Sequence, residues 1–134
     1  AEGIAPPVVA FLDDVPALVT QIREAGLPVE LSVEGERRAL PAGIELSAYR
    51  IVQEALTHTL KHADGAHAQV HVRYGPDSLE LEIVDDGPGA AARTAGGGHG
   101  LVGMRERVAL YGGRVDAARN PAGGFAVRVV LPIR

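Results

Sequence analysis

The sequence contains no cysteine and no tryptophan, and aromatic residues make up only 4% of its 134 residues. The absence of cysteine excludes disulfides, thiolate metal sites and cysteine nucleophiles. The small number of aromatic rings argues against a platform on which single-stranded nucleic acid could stack. A net charge of −4 likewise argues against nucleic acid or an anionic membrane surface as a partner of this domain.

Long apolar runs are also missing, because no stretch approaches the roughly 18 residues needed to cross a bilayer. Hydrophobic residues nevertheless make up 46% of the chain, so we expect a hydrophobic core rather than disorder. The length predicts one domain, which we place at residues 11–134. Residues 1–10 are punctuated by proline and glycine and are predicted to be a linker or the end of a preceding element.

The spacing of apolar residues predicts the order of the elements. Helical spacing predicts helices over residues 11–25, 44–63 and 101–111. Alternation predicts strands over residues 29–33, 70–74, 79–83, 115–119 and 125–131, the second and third forming an antiparallel hairpin. Strands with one apolar face need one covered face, so the helices should lie together. The predicted fold is an α+β, two-layer α/β sandwich with a mostly antiparallel sheet and three helices on one face.

The central helix carries two different stripes over residues 49–63, which contain no proline or glycine. The stripe that should face the core consists of Val52, Leu56, Thr59, Leu60 and Ala63. The other stripe carries charged and titratable side chains, and consists of Arg50, Glu54, His58, Lys61 and His62. The second stripe is either an ordinary charged surface or one wall of a site completed by glycine-rich loops from the second half of the chain.

Residues 85–89, Asp-Asp-Gly-Pro-Gly, follow a predicted strand. A carboxylate there can accept a hydrogen bond from an exocyclic amine at the mouth of a pocket. The glycines would let the backbone pass close to a flat ring without a Cβ clash. The same residue types are also ordinary in an acidic turn, so both interpretations stand at this point.

Residues 96–103, Gly-Gly-Gly-His-Gly-Leu-Val-Gly, open onto the third predicted helix. Free amides at residues 101–104 and the positive helix end would face an anion, with Arg105 and Arg107 adding charge. The preceding residues, 90–100, are either a flexible surface loop or a lid. We predict that the lid, residues 90–99, is mobile without nucleotide.

Two other sites fit the sequence poorly. Gly98, Gly100 and Gly103 satisfy the letters of a dinucleotide fingerprint, but no strand precedes them and no acidic residue lies about 20 positions later. His58 and His62 could chelate one metal ion, but Glu54 lies about 12 Å from His62 along the helix. The stretch also lacks the glutamate that a zinc hydrolase needs after its first histidine.

Residues 49–57, 85–89 and 98–108 together resemble the N, G1 and G2 boxes of the ATP-binding catalytic domain of bacterial sensor histidine kinases. The residues of these boxes resemble those of the branch of kinases that pairs with NarL-type response regulators. Gly123 and Gly124 resemble the glycine turn before the last strand of that domain, and the resemblance covers residues 18–134. It implies the Bergerat ATP-binding fold, which is shared with gyrase, heat-shock chaperones and mismatch-repair ATPases.

The resemblance also implies roles for individual residues. Asp85 would bind the adenine amine, and Gly87 and Gly89 would shape the adenine pocket. Glu54 would orient the nucleophile as a general base, with Mg²⁺ bridging the phosphates near Glu54 and His58. The residues that would contact the phosphates are Lys61 or His62 and, in the lid and its helix, Gly98, Gly100, Leu101, Gly103 and Met104.

One position departs from the family pattern, because His58 stands where the family has asparagine. The asparagine carbonyl offers oxygen to Mg²⁺, which prefers oxygen to imidazole nitrogen. His58 could hold Mg²⁺ through a water, contact phosphate directly as a cation, or leave the domain weakly active. It could also be an introduced change. The alternative function is therefore a nucleotide-binding module with impaired phosphotransfer.

The resemblance finally implies partners. Sensor kinases of this type carry their phosphoacceptor histidine on an upstream dimerising helical domain, and nothing before residue 11 fits such a domain. The expected partners are ATP, that phosphoacceptor domain and a NarL-type response regulator. We expect the domain in the cytoplasm, whether or not the full-length kinase is membrane-anchored. A further alternative is an anti-sigma-type serine kinase on the same fold, but the sequences of the motifs fit that family poorly.

Overall fold

The computed structural model describes residues 12–62, 66–87, 98–119 and 124–133. A short 3₁₀ helix at Leu12–Asp14 leads into the regular elements. These are α1 (Val15–Glu24), β1 (Val29–Gly35), α2 (Ala42–His62), β2 (Ala68–Tyr74), β3 (Ser78–Asp85), α3 (Gly98–Ala109), β4 (Arg114–Arg119) and β5 (Phe125–Pro132). No helix within these ranges is long and apolar enough to cross a membrane.

The strands form one five-stranded sheet in the order β1-β2-β3-β5-β4. β1 and β2 are parallel and are joined through α2, as a parallel pair requires a crossover. The remaining neighbours are antiparallel. The predicted hairpin between β2 and β3 closes with a hydrogen bond from the Gly75 N–H to the Ser78 carbonyl of 2.8 Å. The prediction of a mostly antiparallel sheet is confirmed.

A single core lies between the helices and one face of the sheet. Side chains along β2 and β3 alternate between buried and more exposed positions, so each strand turns one face to the helices. The largest fully buried side chains come from both layers and include Leu18, Ile22, Ile51, Leu56, Leu79, Leu81 and Leu131. Burying each of these contributes about 1.5–3 kcal/mol. The predicted two-layer sandwich is confirmed.

The core-facing side of α2 is wider than the predicted stripe. Val52, Leu56 and Thr59 are buried as predicted, but Ile51 and Ala55 are buried as well. The helix packs against α1 and the sheet together, so it buries a broader arc than a single contact would require. Leu60 is only half-buried, and Ala63 lies outside the described residues.

The alternation predicted for β1 holds only at its start. Val29 is buried, Leu31 is half-buried and Val33 is 52% exposed. β1 is an edge strand with a paired neighbour on one side only, and its second half is the more exposed.

A buried carboxylate fastens the first turn of α2 to neighbouring segments. Glu45 is 7% exposed, and its Oε1 accepts the Leu12 N–H at 2.8 Å while its Oε2 accepts the Leu40 N–H at 3.1 Å. The negative charge also suits the positive end of the helix. Burial, assisted by nearby carboxylates, raises the pKa of Tyr49 and of Tyr74 above its ordinary value.

Candidate functional site

Asp85 brings a carboxylate to the margin of the core. It is the last residue of β3, and strand alternation places it on the same face as Leu81 and Ile83. Its side chain is buried, but both oxygens accept hydrogen bonds: Oδ2 from the Thr59 hydroxyl at 3.1 Å and Oδ1 from the Gly87 N–H at 2.9 Å. A buried charge is tolerated only when it is bonded in this way. The carboxylate is therefore held in one orientation.

Thr59 is a hydrogen-bond partner of Asp85, and local sequence patterns did not predict this bond. It was predicted as a core residue and is indeed buried. Its hydroxyl lies 3.1 Å from Asp85 Oδ2 and also 3.1 Å from the Ala55 carbonyl of its own helix. A hydroxyl in an otherwise apolar stripe is the signal that could have indicated a polar partner across the core.

Gly124, in the predicted glycine turn, packs against the backbone of Asp85. A Cβ at Gly124 would lie 1.8 Å from the Asp85 carbonyl oxygen, and the residue has a φ of +92°. Both facts require glycine. The start of β5 therefore closes onto the end of β3 with no side chain between them. Gly87 is described and buried beside Asp85, whereas Gly89 lies outside the described residues.

The neighbouring Asp86 points the other way. Its Oδ1 accepts the His67 N–H at 2.6 Å, and its own N–H donates to the His67 carbonyl at 3.1 Å. The side chain is 64% exposed. Asp86 therefore ties the segment before β2 to the end of β3, and only Asp85 of the acidic pair faces the core.

The second stripe of α2 is separate from the core side, as predicted. Glu54 and Lys61 are exposed, and Arg50 and His58 are half-buried. His62 is the last residue of α2, and its side chain lies outside the description. The structure thus leaves a charged strip of helix surface that leads away from Thr59 and Asp85.

The directions of the strands bring α3 alongside this strip. Ala68 of β2 pairs with Asp85, so α2 ends near the Asp85 end of the sheet. α3 leads into Arg114, which lies at the opposite end of the sheet. Tyr111, just after α3, places its hydroxyl 2.1 Å from where a Cβ of Gly43 would stand at the start of α2. The helices therefore run antiparallel. We call the surface between them, along the charged strip of α2 that carries Arg50, Glu54 and His58, the α2–α3 seam.

α3 begins earlier than the sequence predicted. Its first residue is Gly98, so residues 98–100 belong to the helix rather than to the preceding loop, and the helix ends at Ala109 rather than at residue 111. Unpaired amides at a helix start are those of its first four residues. The amides that the helix leaves unpaired are therefore those of residues 98–101 rather than those of the predicted residues 101–104, and only residue 101 belongs to both sets. The rest of the predicted lid, residues 90–97, lies outside the described residues.

Gly103 is half-buried in α3. The side chains of Leu101 and Met104 lie outside the description, as do those of the first three residues of the helix.

The carboxylates and imidazoles in the described ranges include no group of three or more that could hold a metal ion. A Mg²⁺ ion that arrives with a nucleotide needs only one or two protein carboxylates, because phosphate oxygens and waters complete its shell. Glu54 is exposed on the seam and meets that need. Glu54 would supply the oxygen donor to a magnesium ion shared with a nucleotide, and His58 would be the less suitable neighbour.

The model of one protein family matches residues 43–134, which include α2 after its first residue and every later element. This family is described as histidine kinase-, DNA gyrase B-, and HSP90-like ATPases. The matched range contains Asp85, Thr59 and the α2–α3 seam.

Curated relatives include sensor kinases from two bacteria. Sensor histidine kinase YxjM of Bacillus subtilis is 34% identical over 118 residues, covering 87% of this chain and 29% of that protein. The signal transduction histidine-protein kinase/phosphatase DegS of Brevibacillus brevis is 31% identical over 130 residues, covering 91% of this chain and 34% of that protein. The chain thus spans about a third of the length of these relatives.

Solved structures show the same fold at low identity. The histidine kinase domain of the Erythrobacter litoralis EL346 blue-light activated histidine kinase matches with a TM-score of 0.69 at 20% identity, covering 98% of this chain and 71% of that one. The catalytic domain of histidine kinase ThkA matches with a TM-score of 0.67 at 9% identity, covering 90% and 92%.

Proposed function

The chain belongs to the family of histidine kinase-, DNA gyrase B- and HSP90-like ATPases and is an ATP-binding catalytic domain of the histidine kinase type, and we propose that it donates the γ-phosphoryl group of ATP to a histidine on a separate domain. In this step the bond between the γ-phosphorus and the β–γ bridging oxygen breaks. A bond from phosphorus to an imidazole nitrogen forms, and ADP leaves.

The observation that carries the proposal is the oriented carboxylate of Asp85. The Thr59 hydroxyl and the Gly87 amide fix it at the margin of the core. An ionised carboxylate only accepts hydrogen bonds, so it favours a base that presents an amine there. Adenine presents an exocyclic amine, whereas guanine presents a carbonyl oxygen at the corresponding position. We infer that Asp85 selects adenine.

The phosphates would then extend from Asp85 along the α2–α3 seam. Glu54 is exposed there and lies five residues before Thr59, about 7.5 Å along the helix. We assign Glu54 to orient the acceptor imidazole and to take up its proton. When bound, Mg²⁺ would neutralise phosphate charge. Lys61, His62 and the early amides of α3 are proposed phosphate contacts, and Gly87 and Gly89 are proposed to line the adenine pocket.

A second function rests on His58. It is half-buried on the same strip of α2 as Glu54, and its imidazole is a poor ligand for Mg²⁺. If transfer is inefficient for this reason, the domain would act as a nucleotide-binding module. The two functions share the adenine site and differ only in the rate of transfer.

The proposed partners follow from the resemblance of the three boxes to kinases of the NarL-partner branch. They are a phosphoacceptor domain of the same kinase and, after it, a NarL-type response regulator. We propose that the exchange takes place in the cytoplasm, where ATP is available.

The test is transfer of label from γ-³²P-ATP to the phosphoacceptor domain of the parent kinase. We expect label that is stable in alkali and lost in acid, as for a phosphorus–nitrogen bond. The Asp85→Asn variant should give little label at the same ATP concentration. Label that is stable in acid would instead indicate a serine kinase, and ATP binding without any transfer would favour the nucleotide-binding module.

A further inference from the structure

The first strand leaves one edge of the sheet open. β1 is hydrogen-bonded to β2 only, so its other side has no neighbouring strand in the described part of the chain. The edge of a sheet presents backbone N–H and C=O groups that can pair with a strand from another chain. What β1 can bind therefore depends on which of its outward groups are already paired and on the side chains beside them.

The register of the β1–β2 pair shows which backbone groups of β1 face outwards. The Ala68 N–H donates to the Pro28 carbonyl at 2.9 Å, and Val29 lies level with Ala68. Hydrogen bonds of a parallel pair recur at every second residue of a strand. The even-numbered residues from 28 to 34 therefore turn their backbone groups towards β2, and the odd-numbered residues from 29 to 33 turn theirs away from it.

Only the first of these outward-facing residues is capped. Arg23 of α1 donates from Nε to the Val29 carbonyl at 2.8 Å. The outward N–H and C=O groups of Leu31 and Val33 have no partner among the described residues. Alternation places both side chains on the helix side of the sheet with Val29, yet Leu31 is only half-buried and Val33 is 52% exposed. Unpaired backbone and uncovered apolar side chains therefore coincide at these two residues.

The opposite face of β1 carries negative charge. Glu30 and Glu34 are exposed there, and neither takes part in an ion pair within the ranges that the structure describes. Arg73 lies level with Glu34 on β2 but pairs with Glu80 on β3. The two carboxylates thus remain available to cations on a strand added at this edge.

We propose that the open edge of β1 binds an extended segment of another protein, which adds as a sixth strand and alternates apolar and basic residues. Its apolar residues would pair with Leu31 and Val33 through the backbone and cover their side chains. Its basic residues would lie opposite Glu30 and Glu34, as oppositely charged cross-strand pairs. We assign antiparallel pairing, because it is slightly more stable per residue than parallel pairing.

A second copy of this chain fits the same edge poorly. Two β1 strands paired antiparallel about Ser32 would place Leu31 opposite Val33, which suits both side chains. The same register would place Glu30 directly opposite Glu34 at two positions, and like charges directly opposite each other are destabilising. The charge pattern therefore favours a basic partner strand over self-association through β1.

The experiment titrates this domain with the peptide acetyl-Lys-Val-Lys-Val-Lys-amide and follows the backbone amides by NMR. We expect a Kd of about 1 mM or tighter, with the largest shifts and slowed hydrogen exchange at the N–H groups of Leu31 and Val33. Glu30→Gln and Glu34→Gln should each weaken binding about threefold, and added salt should also weaken it. Asp116→Asn is the matched control, because it alters an exposed carboxylate on β4 at the other edge of the sheet, and it should leave the affinity unchanged.

Two further peptides separate backbone pairing from charge. Methylation of both valine nitrogens removes the donors that would pair with β1, and it should weaken binding at least about tenfold. Replacing the lysines by glutamates should weaken it by at least as much. Undiminished binding of the methylated peptide, equal effects of Asp116→Asn and Glu34→Gln, or no shifts at about 5 mM peptide would each overturn the proposal. Dimerisation of the domain through β1 in sedimentation would overturn the choice of partner.

Discussion

Two buried carboxylates lie at opposite ends of α2, and their partners differ in kind. Glu45 in the first turn accepts backbone N–H groups from Leu12 and Leu40, segments that lie 33 and 5 residues away in the chain. Asp85 accepts the Thr59 hydroxyl near the last turn and the amide of Gly87. Burial alone therefore does not distinguish a structural carboxylate from one that can recognise a ligand.

The surroundings of the two groups make the difference. At the Glu45 end, the chain closes over the carboxylate with the 3₁₀ helix and the segment before α2. At the Asp85 end, the neighbouring segments contribute glycines, and Gly124 touches the Asp85 backbone where no side chain would fit. One end of α2 is covered by its own chain, and at the other end Gly87 and Gly124 bring backbone directly against Asp85.

The largest effect is expected for Glu45→Ala. The change leaves the amides of Leu12 and Leu40 without their acceptor, which should lower the free energy of unfolding by about 3 kcal/mol. Urea denaturation measures the loss, with Glu30→Ala on the exposed side of β1 as the control. The ATP affinity of the folded protein should not change. A variant as stable as the control would mean that the two hydrogen bonds contribute little.

Asp85→Asn should lower the affinity for ATP, which Glu45→Ala should leave unchanged. It removes the charge that we propose accepts the adenine amine, so we expect ATP affinity to fall by about 30-fold, or about 2 kcal/mol. Calorimetry provides the affinity, and Asp116→Asn on the exposed edge strand is the matched control. Retention of affinity within about threefold would contradict the assignment of Asp85 to adenine.

His58→Asn should act on the metal step alone. An amide oxygen is a better Mg²⁺ ligand than imidazole, so we expect phosphoryl transfer to rise about tenfold at fixed Mg²⁺, or about 1.4 kcal/mol. Nucleotide affinity measured without Mg²⁺ should stay the same. A transfer rate that does not respond would show that the imidazole already serves the step as well as an amide.

The smallest effect is expected from a carboxylate paired on the outer face of the sheet. Glu82 Oε2 accepts from Arg128 Nε at 2.6 Å, and the two side chains are 35% and 59% exposed. A double-mutant cycle with Glu82→Ala and Arg128→Ala should give a coupling of about 0.5 kcal/mol or less, reduced by added salt. A coupling above about 1.5 kcal/mol would show that the pair is far less solvated than its exposure indicates.

Local periodicity was sufficient for most of the fold. Alternation identified the strands and the hairpin, and helical spacing separated the buried side of α2 from Arg50, Glu54 and Lys61. These patterns are readable because each element buries one face. The acidic residue at the end of a buried strand could likewise be picked out as a candidate adenine contact.

Contacts between distant residues could not be read in this way. The Thr59–Asp85 bond joins residues 26 apart, and the Leu12–Glu45 bond joins residues 33 apart. The start of α3 at Gly98 was missed because glycine disfavours helices, so residues 98–100 were taken as loop. Val33 is exposed on the edge strand β1, and alternation within one strand does not report the position of that strand in the sheet.

The most direct test of the account is a calorimetric titration of this domain with ATP, with and without Mg²⁺. The account predicts binding in both conditions, because Asp85 recognises adenine without metal, and an affinity that tightens about tenfold with Mg²⁺ shared between Glu54 and the phosphates. Binding that is indifferent to Mg²⁺ would contradict metal-assisted transfer and favour a nucleotide-binding module. Absence of binding in both conditions would contradict the adenine site itself.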